Sequence, residues 1–334
     1  MTKRILNVLT QSDENYLIPG SVMVTSLCEN NTHFDEINVY YLSLGISPKN
    51  CKKLKSLEKK YNNLTLNIID SKKYQAEAEE LKLSKWNGKL ITWFKLLVLS
   101  DLDINTDRVL YLNPHSIITG SLDGLTKIKF NNNIMLNIYD YFENFPGLVD
   151  IHTRKQGDPY YNCGLMLINY EKWQREEFGT KVRESLQKRS NYKVADQDFC
   201  NTFFVGEIGV VPFEYYAWET LYLYNPKSAL KIQRLLNKPN YYSLDEVKNG
   251  LLTPKIIYLT SVGSGRAWFK NSKAPTASLF EKYLKMSPFK DVKRPVVIKN
   301  LAYYVSTYPP KQLTLLINFL YSFLRVNVLW KLKK

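Results

Sequence analysis

The sequence lacks the features that mark secreted, membrane-spanning or zinc-binding chains. Its 334 residues hold only four cysteines, Cys28, Cys51, Cys163 and Cys200, which are scattered and form no CxxC pair. We therefore expect small core thiols in a reducing compartment. No apolar run reaches the roughly 20 residues that span a bilayer, and the basic N-terminus lacks the apolar core and cleavage site of a signal peptide. These absences favour a cytoplasmic protein, on a membrane surface at most.

Acidic residues are also scarce, since 31 Asp and Glu oppose 46 Lys and Arg and leave a net charge of +15. Such an excess implies an anionic partner, namely a phosphorylated substrate, an anionic membrane or nucleic acid. There is no RNA-binding signature and no zinc-finger spacing, so nucleic acid is the least favoured of the three. With 45% hydrophobic residues the chain has material for a large core, and a disordered chain is not expected.

Short apolar runs alternate with helical segments, which predicts an α/β fold with a mostly parallel sheet and right-handed crossovers. Predicted strands cover residues 5–9, 37–42, 64–69, 109–112, 134–139 and 164–168, and predicted helices cover 17–28, 48–61 and 91–102. No repeat or low-complexity linker interrupts this pattern.

The organising stretch is residues 109–125, VLYLNPHSIITGSLDGL. Its first four residues read as a fully buried strand, which stops at Pro114 because proline cannot donate to a sheet ladder. Polar groups that follow such a strand lie at the carboxyl edge of the sheet, where open α/β folds bind their ligands.

This stretch resembles (V/I)LYLDxDxxVxxxLxxL of glycosyltransferase family 8, the retaining sugar-nucleotide transferases that include bacterial lipopolysaccharide galactosyl- and glucosyltransferases. Four further stretches resemble family motifs in the same order. QSDENY at 11–16 is similar to A(S/A)DDNY, YYNCGLMLINYEKW at 160–173 to YFN(A/S)GVLLINLKKW, ADQDFCN at 195–201 to QDQDxxN, and TSVGSGRAW at 260–268 to HYxGxxKPW. The resemblance covers roughly residues 4–270 and implies a GT-A fold.

On the donor side, the resemblance implies that residues 11–16 hold the uridine, with Gln11, Asp13, Asn15 and Tyr16 as the candidates. A carboxylate at Asp13 can accept from uracil N3–H, and the ring of Tyr16 can stack on the base. The alternative for Asp13 is an ordinary helix cap.

The same resemblance assigns the donor diphosphate to Lys95, Gly263 and Arg266. Lys95 stands where the family has an arginine, and Arg266 replaces a lysine with another cation that can contact phosphate through two hydrogen bonds. The alternative for Lys95 is a solvated helix lysine.

The family's catalytic and sugar-binding positions fall on Asn162, Asp196, Gln197 and Asp198, and its acceptor-side aspartate falls on Asp140. Asp196 would bind sugar hydroxyls, and the carbonyl of Gln197 would face the anomeric carbon. Alternatively, an aspartate of this D-Q-D run caps the helix that it opens, which explains one aspartate but not both. Asp101 and Asp103 form a literal DxD, but they precede the central strand and are interpreted as solvated turn residues.

The metal-binding positions of the family have all changed, to Asn113, His115 and Thr260. Hard cations such as Mn²⁺ prefer carboxylate oxygens, and these three residues offer no anionic ligand. We therefore expect no tight divalent metal. Lys95 and Arg266 would oppose the diphosphate charge instead, and His115 would add a third positive charge if the phosphates raise its pKa. His115 also leaves a residual route for a softer ion.

The domain prediction is a GT-A domain over residues 1–275 and a basic, aromatic extension over 276–334. From Val292 onward the chain carries eight Lys or Arg and no acid, and residues 313–330 are broadly apolar with a narrow polar stripe. This pattern is typical of a helix lying in the headgroup plane of an anionic membrane. A helix packed on the domain or an oligomer contact is the alternative.

Together these patterns predict a retaining hexosyltransferase that moves a sugar from a UDP-sugar to a glycan or lipid-linked glycan in bacterial surface polysaccharide synthesis. It would work on the inner face of the cell membrane. The alternative is a degenerate family member that binds a nucleotide or glycan and assists a partner transferase. The altered metal positions are the reason to keep that alternative.

Overall fold

The computed structural model describes residues 3–144, 149, 158–260 and 264–299, together with residues 303, 304, 307, 308, 310, 313, 314 and 317. Its strands are β1 (Ile5–Asp13), β2 (Glu36–Leu44), β3 (Leu64–Asp70), β4 (Arg108–Leu112), β5 (Ser116–Ile118), β6 (Met135–Tyr139), β7 (Tyr161–Asn169), β8 (Ile208–Val210), β9 (Ala217–Trp218) and β10 (Ile256–Tyr258). Its α-helices are α1 (Leu17–Asn30), α2 (Pro48–Lys55), α3 (Lys72–Glu80), α4 (Phe94–Leu97), α5 (Asp123–Lys127), α6 (Tyr170–Arg175), α7 (Phe178–Lys188), α8 (Ala195–Phe203), α9 (Pro226–Ile232), α10 (Leu244–Leu252) and α11 (Ala277–Met286).

Seven strands form the central sheet, in the order β3-β2-β1-β4-β7-β6-β8. β1, β2, β3 and β4 pair in parallel, whereas β7 is antiparallel to both of its neighbours. The predicted α/β class with a mostly parallel sheet flanked by helices is confirmed. Because β1 and β4 are parallel neighbours, the polar residues that follow them meet at one edge of the sheet.

A smaller sheet, β5-β10-β9, lies beside this edge. β5 follows Asn113 and His115 directly and pairs with β10 through Ile117 and Ile257. β10 leads into Thr260, so this sheet carries the central stretch and the last family motif side by side. It was not anticipated from the sequence, since each of its strands is only two or three residues long.

Two large apolar clusters make up the main core, one containing Leu112 and Leu165 and the other Leu9 and Met166. β7 contributes to both clusters, because successive side chains of a strand point to opposite faces. Among the described residues no helix is long and apolar enough to cross a membrane.

Most predicted elements differ from the structure by a few residues at their ends, and two that border the site differ more. The first strand does not stop at Leu9 but continues to Asp13, because its polar end keeps a parallel register with β2 through Asp13 and Leu44. The predicted helix over 91–102 is instead a 3-10 turn, the short helix α4 and a second 3-10 turn at Leu99–Asp101.

The C-terminal part begins on the body of the protein. α11 lies just past the predicted boundary at 275 and packs on α1, where Asn30 Nδ2 donates to the hydroxyl of Tyr283 at 2.8 Å. Phe280 and Leu284 complete an apolar cluster with Trp268. Most of the predicted membrane-associating stretch lies outside the described residues, and the division at 275/276 stays a prediction.

Candidate active site

A cavity of about 360 Å³ opens where β1 and β4 end, within the size range of small-molecule sites. It is bordered by segments that are far apart in sequence. The predicted site residues that line it are Gln11, Asp13, Tyr16, Lys95, Asn113, His115, Asn162, Asp196, Gln197 and Arg266. Asn15, Asp140 and Asp198 are not among the residues that line it, and Gly263 lies outside the described residues.

Asp13 has two sets of contacts. Its Oδ1 caps the 3-10 turn that follows β1 by accepting from the backbone N–H groups of Asn15 and Tyr16, at 3.0 and 3.2 Å. Its Oδ2 forms an ion pair with Lys89. The capping role proposed as an alternative is therefore real. The oxygen that remains for a contact with a base is Oδ2, which Lys89 also contacts.

Lys89 stands on a two-residue hairpin that borders the cavity. Trp86 and Lys89 form a β-bridge, and the turn residues Asn87 and Gly88 have φ angles of +49° and +78°. Asn-Gly is the pair that suits such a turn, because both positions need positive φ. Trp86 also contacts the ring of Phe142 at 6.4 Å across the cavity wall.

Lys95 is not a solvated helix lysine. Its Nζ lies 2.6 Å from Asp196 Oδ2 and 3.0 Å from the backbone oxygen of Cys163, and 4.6 Å from the ring centre of Tyr111. Burial lowers the pKa of Lys95, but the charge and hydrogen bond of Asp196, together with Tyr111 and Cys163, outweigh it, and the net direction is upward. Lys95 therefore stays charged, yet Asp196 already neutralises it. Lys95 lines the cavity, and its predicted contact with the donor phosphates stays a prediction.

Helix phase separates the two aspartates of α8. Ala195, at the start of the helix, has a φ of +44°, a strained conformation for a residue other than glycine. Asp196 lines the cavity, whereas Asp198 is fully buried and accepts from the hydroxyl of Tyr160 at 2.7 Å and from the backbone N–H of Val194 at 2.9 Å. Asp198 thus holds the start of α8 rather than a substrate.

Asp140 anchors the amides at the back of the cavity. Its Oδ2 accepts from Asn162 Nδ2 at 2.6 Å and from Gln197 Nε2 at 3.3 Å. Gln197 Oε1 in turn accepts from the backbone N–H of Cys163 at 3.2 Å. Burial raises the pKa of Asp140, while these hydrogen bonds oppose that rise. The arrangement fixes the orientation of both amides and makes Asp140 a positioning group.

The three metal positions of the family carry neutral side chains, and of these Asn113 and His115 line the cavity whereas Thr260 does not. Asn113 Oδ1 accepts from the hydroxyl of Tyr111 at 3.0 Å. The hydroxyl of Thr260 is turned to Thr220, which lies 3.4 Å away. Gly164 makes room for this packing, since a Cβ there would lie 2.7 Å from both Asn113 Nδ2 and Asn162 Oδ1.

His115 packs among aromatic rings, with ring centres of Tyr258, Tyr16 and Trp268 at 4.9, 5.4 and 6.0 Å. Burial, and then the positive charge of Arg266, lower the pKa of His115 to about 3. In this structure His115 is therefore neutral near pH 7, and the predicted third positive charge, which requires bound phosphates to raise its pKa, stays a prediction.

Several cavity-lining groups lack a protein partner. Gln11 Oε1, Thr92 Oγ1 and His115 Nδ1 are buried and make no hydrogen bond within the described structure. Buried polar atoms are nearly always paired. Three such atoms on one cavity indicate that a polar ligand or water completes them.

The sequence reasoning missed several residues on the cavity wall, namely Trp86, Lys89, Thr92, Tyr111 and Tyr258. The one local signal among them is the Asn87-Gly88 turn, which marks the hairpin of Trp86 and Lys89. The others are apolar-context residues that only the tertiary fold brings to the site.

The chain is similar to known proteins over most of its length. Residues 7–238 match the model of the family described as glycosyl transferase family 8. The chain is 25% identical over 298 residues to lipopolysaccharide 1,2-glucosyltransferase of Escherichia coli (strain K12), covering 87% of this chain and 80% of that one. It is 22% identical to lipopolysaccharide 1,3-galactosyltransferase of Salmonella typhimurium, over 85% and 79% of the two chains.

Two solved structures share the fold. The galactosyltransferase LgtC, in complex with donor and acceptor sugar analogues, is similar with a TM-score of 0.67 and 20% identity, over 84% of this chain and 96% of that one. The bifunctional glycosyltransferase WbbM is similar with a TM-score of 0.68 and 16% identity, over 87% and 51%. At these identities the likeness establishes the GT-A type of fold.

Proposed function

The chain belongs to glycosyltransferase family 8, and from this premise we propose that it transfers a hexose from a UDP-sugar to a glycan acceptor with retention of anomeric configuration. The acceptor we propose is a lipopolysaccharide or a related bacterial surface glycan, as the names of its relatives suggest.

The observation that carries this proposal is the single cavity lined by Asp13, Asn162, Asp196, Gln197 and Arg266. These residues come from separate motifs, and each matches a donor or sugar position of the family. A structural role alone does not explain why the polar ends of four segments converge on one space with unpaired buried atoms.

Each residue has a role consistent with its contacts. Asp13 Oδ2 would accept from uracil N3–H, and Arg266 would contact the diphosphate. Asp196 keeps Oδ1 for a sugar hydroxyl, because Lys95 takes Oδ2. Gln197, held at both ends of its amide by Cys163 and Asp140, would turn the remaining lone pair of its carbonyl to the developing positive charge at the anomeric carbon.

Retention would follow if the acceptor hydroxyl attacks the anomeric carbon on the same face from which UDP departs. The departing phosphate would take the proton of that hydroxyl. The C–O bond to UDP breaks as the new C–O bond forms, so one glycosidic product and protonated UDP result. Nothing else in the cavity need act as a base, since Asp13 and Asp196 are both paired with lysines.

A donor screen tests this function. Purified protein is incubated with UDP-glucose, UDP-galactose and UDP-N-acetylglucosamine, with and without glycan acceptors, and released UDP is measured. We expect turnover of one donor and its loss in Gln197→Ala and Asp196→Ala. Asp245→Asn, an exposed acid on α10, is the matched control. Full activity in the first two variants would show that the site is wrongly assigned.

A catalytically degenerate binding protein is the second candidate, because the metal positions are neutral and Lys95 is already paired. It predicts UDP binding without turnover across the whole panel of donors and acceptors. Turnover of any UDP-sugar by the purified protein excludes it.

We also propose that the protein works on the inner face of the cell membrane through its basic C-terminal residues. Removing residues 311–334 should release it from phosphatidylglycerol vesicles and leave UDP affinity intact. High salt should weaken the attachment only in part, because the apolar face contributes independently of charge. A truncated protein that keeps its vesicle binding would contradict this.

A further inference from the structure

We propose that this site binds the donor diphosphate without a divalent cation, and that Arg266, which stands in the place of the family's lysine, is the side chain that opposes the diphosphate charge. This inference rests on the proposed function, because it concerns the same UDP-sugar.

The residues at the metal positions do not fit a hard cation. Asn113 Oδ1 already accepts from the hydroxyl of Tyr111, and the hydroxyl of Thr260 bonds with Thr220. His115 is packed among rings. Mn²⁺ and Mg²⁺ prefer several oxygen ligands, with carboxylates foremost, and this set offers none that is charged.

The two carboxylates on the cavity wall do not supply the missing charged ligands for a divalent cation. Asp13 is paired with Lys89, and Asp196 is paired with Lys95. In the part of the chain that the structure describes, no three His, Cys, Asp or Glu side chains converge as a metal site would require. A cation entering here would have to displace a lysine from its carboxylate.

Among the described charged residues that line the cavity, one cation has no carboxylate partner. Lys89 and Lys95 each face an aspartate, whereas Arg266 has no carboxylate partner among the described residues. Its guanidinium is therefore available for an anion, and its planar fork suits the two oxygens of a phosphate.

Arg266 also stands close to the metal positions. Its Cζ lies 5.5 Å from the ring centre of Trp268, and His115 lies 6.0 Å from the same ring. Arg266 and His115 thus pack on the same tryptophan ring, and both line the cavity. A fixed cation there can oppose the charge of the diphosphate without reorganising when UDP departs.

Calorimetric titration with UDP and with uridine tests the inference without any need for turnover. Wild-type protein is titrated in EDTA and in Mn²⁺, beside Arg266→Ala, Arg266→Lys and the control Arg175→Ala. Arg175 is an exposed arginine at the end of α6, so its removal makes the same change in net charge away from the cavity.

We expect the wild-type affinity for UDP to agree within about twofold in the two buffers. Arg266→Ala should lower the affinity for UDP by about tenfold or more, because a charge-assisted contact is lost. The affinity for uridine should be unchanged. Arg266→Lys should recover part of the loss, and Arg175→Ala should resemble wild type.

The outcomes separate this inference from the proposed function. UDP binding that needs Mn²⁺ and collapses in EDTA overturns the metal-free site alone and leaves the transferase function standing. UDP affinity that is unchanged in Arg266→Ala overturns the role of Arg266. Absence of UDP binding in both buffers overturns both proposals, because the site would then hold no nucleotide diphosphate.

Discussion

The side-chain amine of Lys95 and the carboxylate of Asp196 lie 2.6 Å apart and are almost withdrawn from solvent, with exposed fractions of 4% and 7%. A buried charge that loses its partner is costly, whereas a buried pair replaced by neutral groups is often tolerated. This pair joins α4, which leads to the central strand, to α8, which carries Gln197.

Removing one partner should therefore cost more than removing both. We expect Lys95→Met to lower the free energy of unfolding by about 3–5 kcal/mol, and Lys95→Met with Asp196→Asn to regain much of it. Urea unfolding of the two single variants and the double variant measures this. Equal stability of Lys95→Met and wild type would contradict the pairing.

Asp13 has a capping contact that can be separated from a base contact. In Asp13→Asn the amide oxygen can still accept from Asn15 N–H and Tyr16 N–H, but the amide nitrogen faces uracil N3–H with a donor. Uridine and UDP affinity should both fall by about tenfold. The melting temperature should be nearly unchanged, because the ion pair with Lys89 is only partly buried and such pairs contribute little. If calorimetry finds unchanged affinity, Asp13 is a cap alone.

The lowered pKa of His115 predicts that the stability of the protein depends on pH. The unfolded chain binds a proton at this residue near pH 6.5, whereas the folded chain holds its pKa at about 3. The contribution of His115 to the free energy of unfolding is therefore fully present above pH 6.5. It is lost as the pH falls toward 3, by up to about 1.4 kcal/mol per pH unit. His115→Gln should remove this part of the acid sensitivity in denaturant unfolding. An identical pH profile in the variant would contradict it.

The frame of the fold could be predicted because it rests on local patterns. The central strand is an apolar run that ends at Pro114, and the neighbouring strands are also apolar runs followed by polar residues. Contacts between distant segments could not be predicted in this way. Lys95 and Asp196 are 101 positions apart, and Lys89 and Asp13 are 76 apart, so no periodicity relates them. Asp196 and Asp198 point in different directions because they are two residues apart on one helix, but which of the two faces the cavity depends on how α8 packs on the sheet.

Restoring the family pattern should create a metal site. Asn113→Asp keeps the oxygen that accepts from Tyr111, and with His115→Asp and Thr260→His it supplies two carboxylates and an imidazole. We expect the triple variant to bind UDP more tightly in Mn²⁺ than in EDTA, and Asn113→Asp alone to show no difference. A triple variant that folds but ignores Mn²⁺ would mean that the loop after β4 departs from the family geometry.

The central claim is that this cavity performs retaining transfer from a UDP-hexose without a metal. Its most direct test is NMR of the product formed from the donor found by the screen, with a glycan acceptor and in the presence of EDTA. UDP-hexoses such as UDP-glucose carry an α-linked sugar, so the account predicts an α-linked product, its formation undiminished by EDTA and abolished by Gln197→Ala. A β-linked product, or one formed only when Mn²⁺ is added, would contradict it.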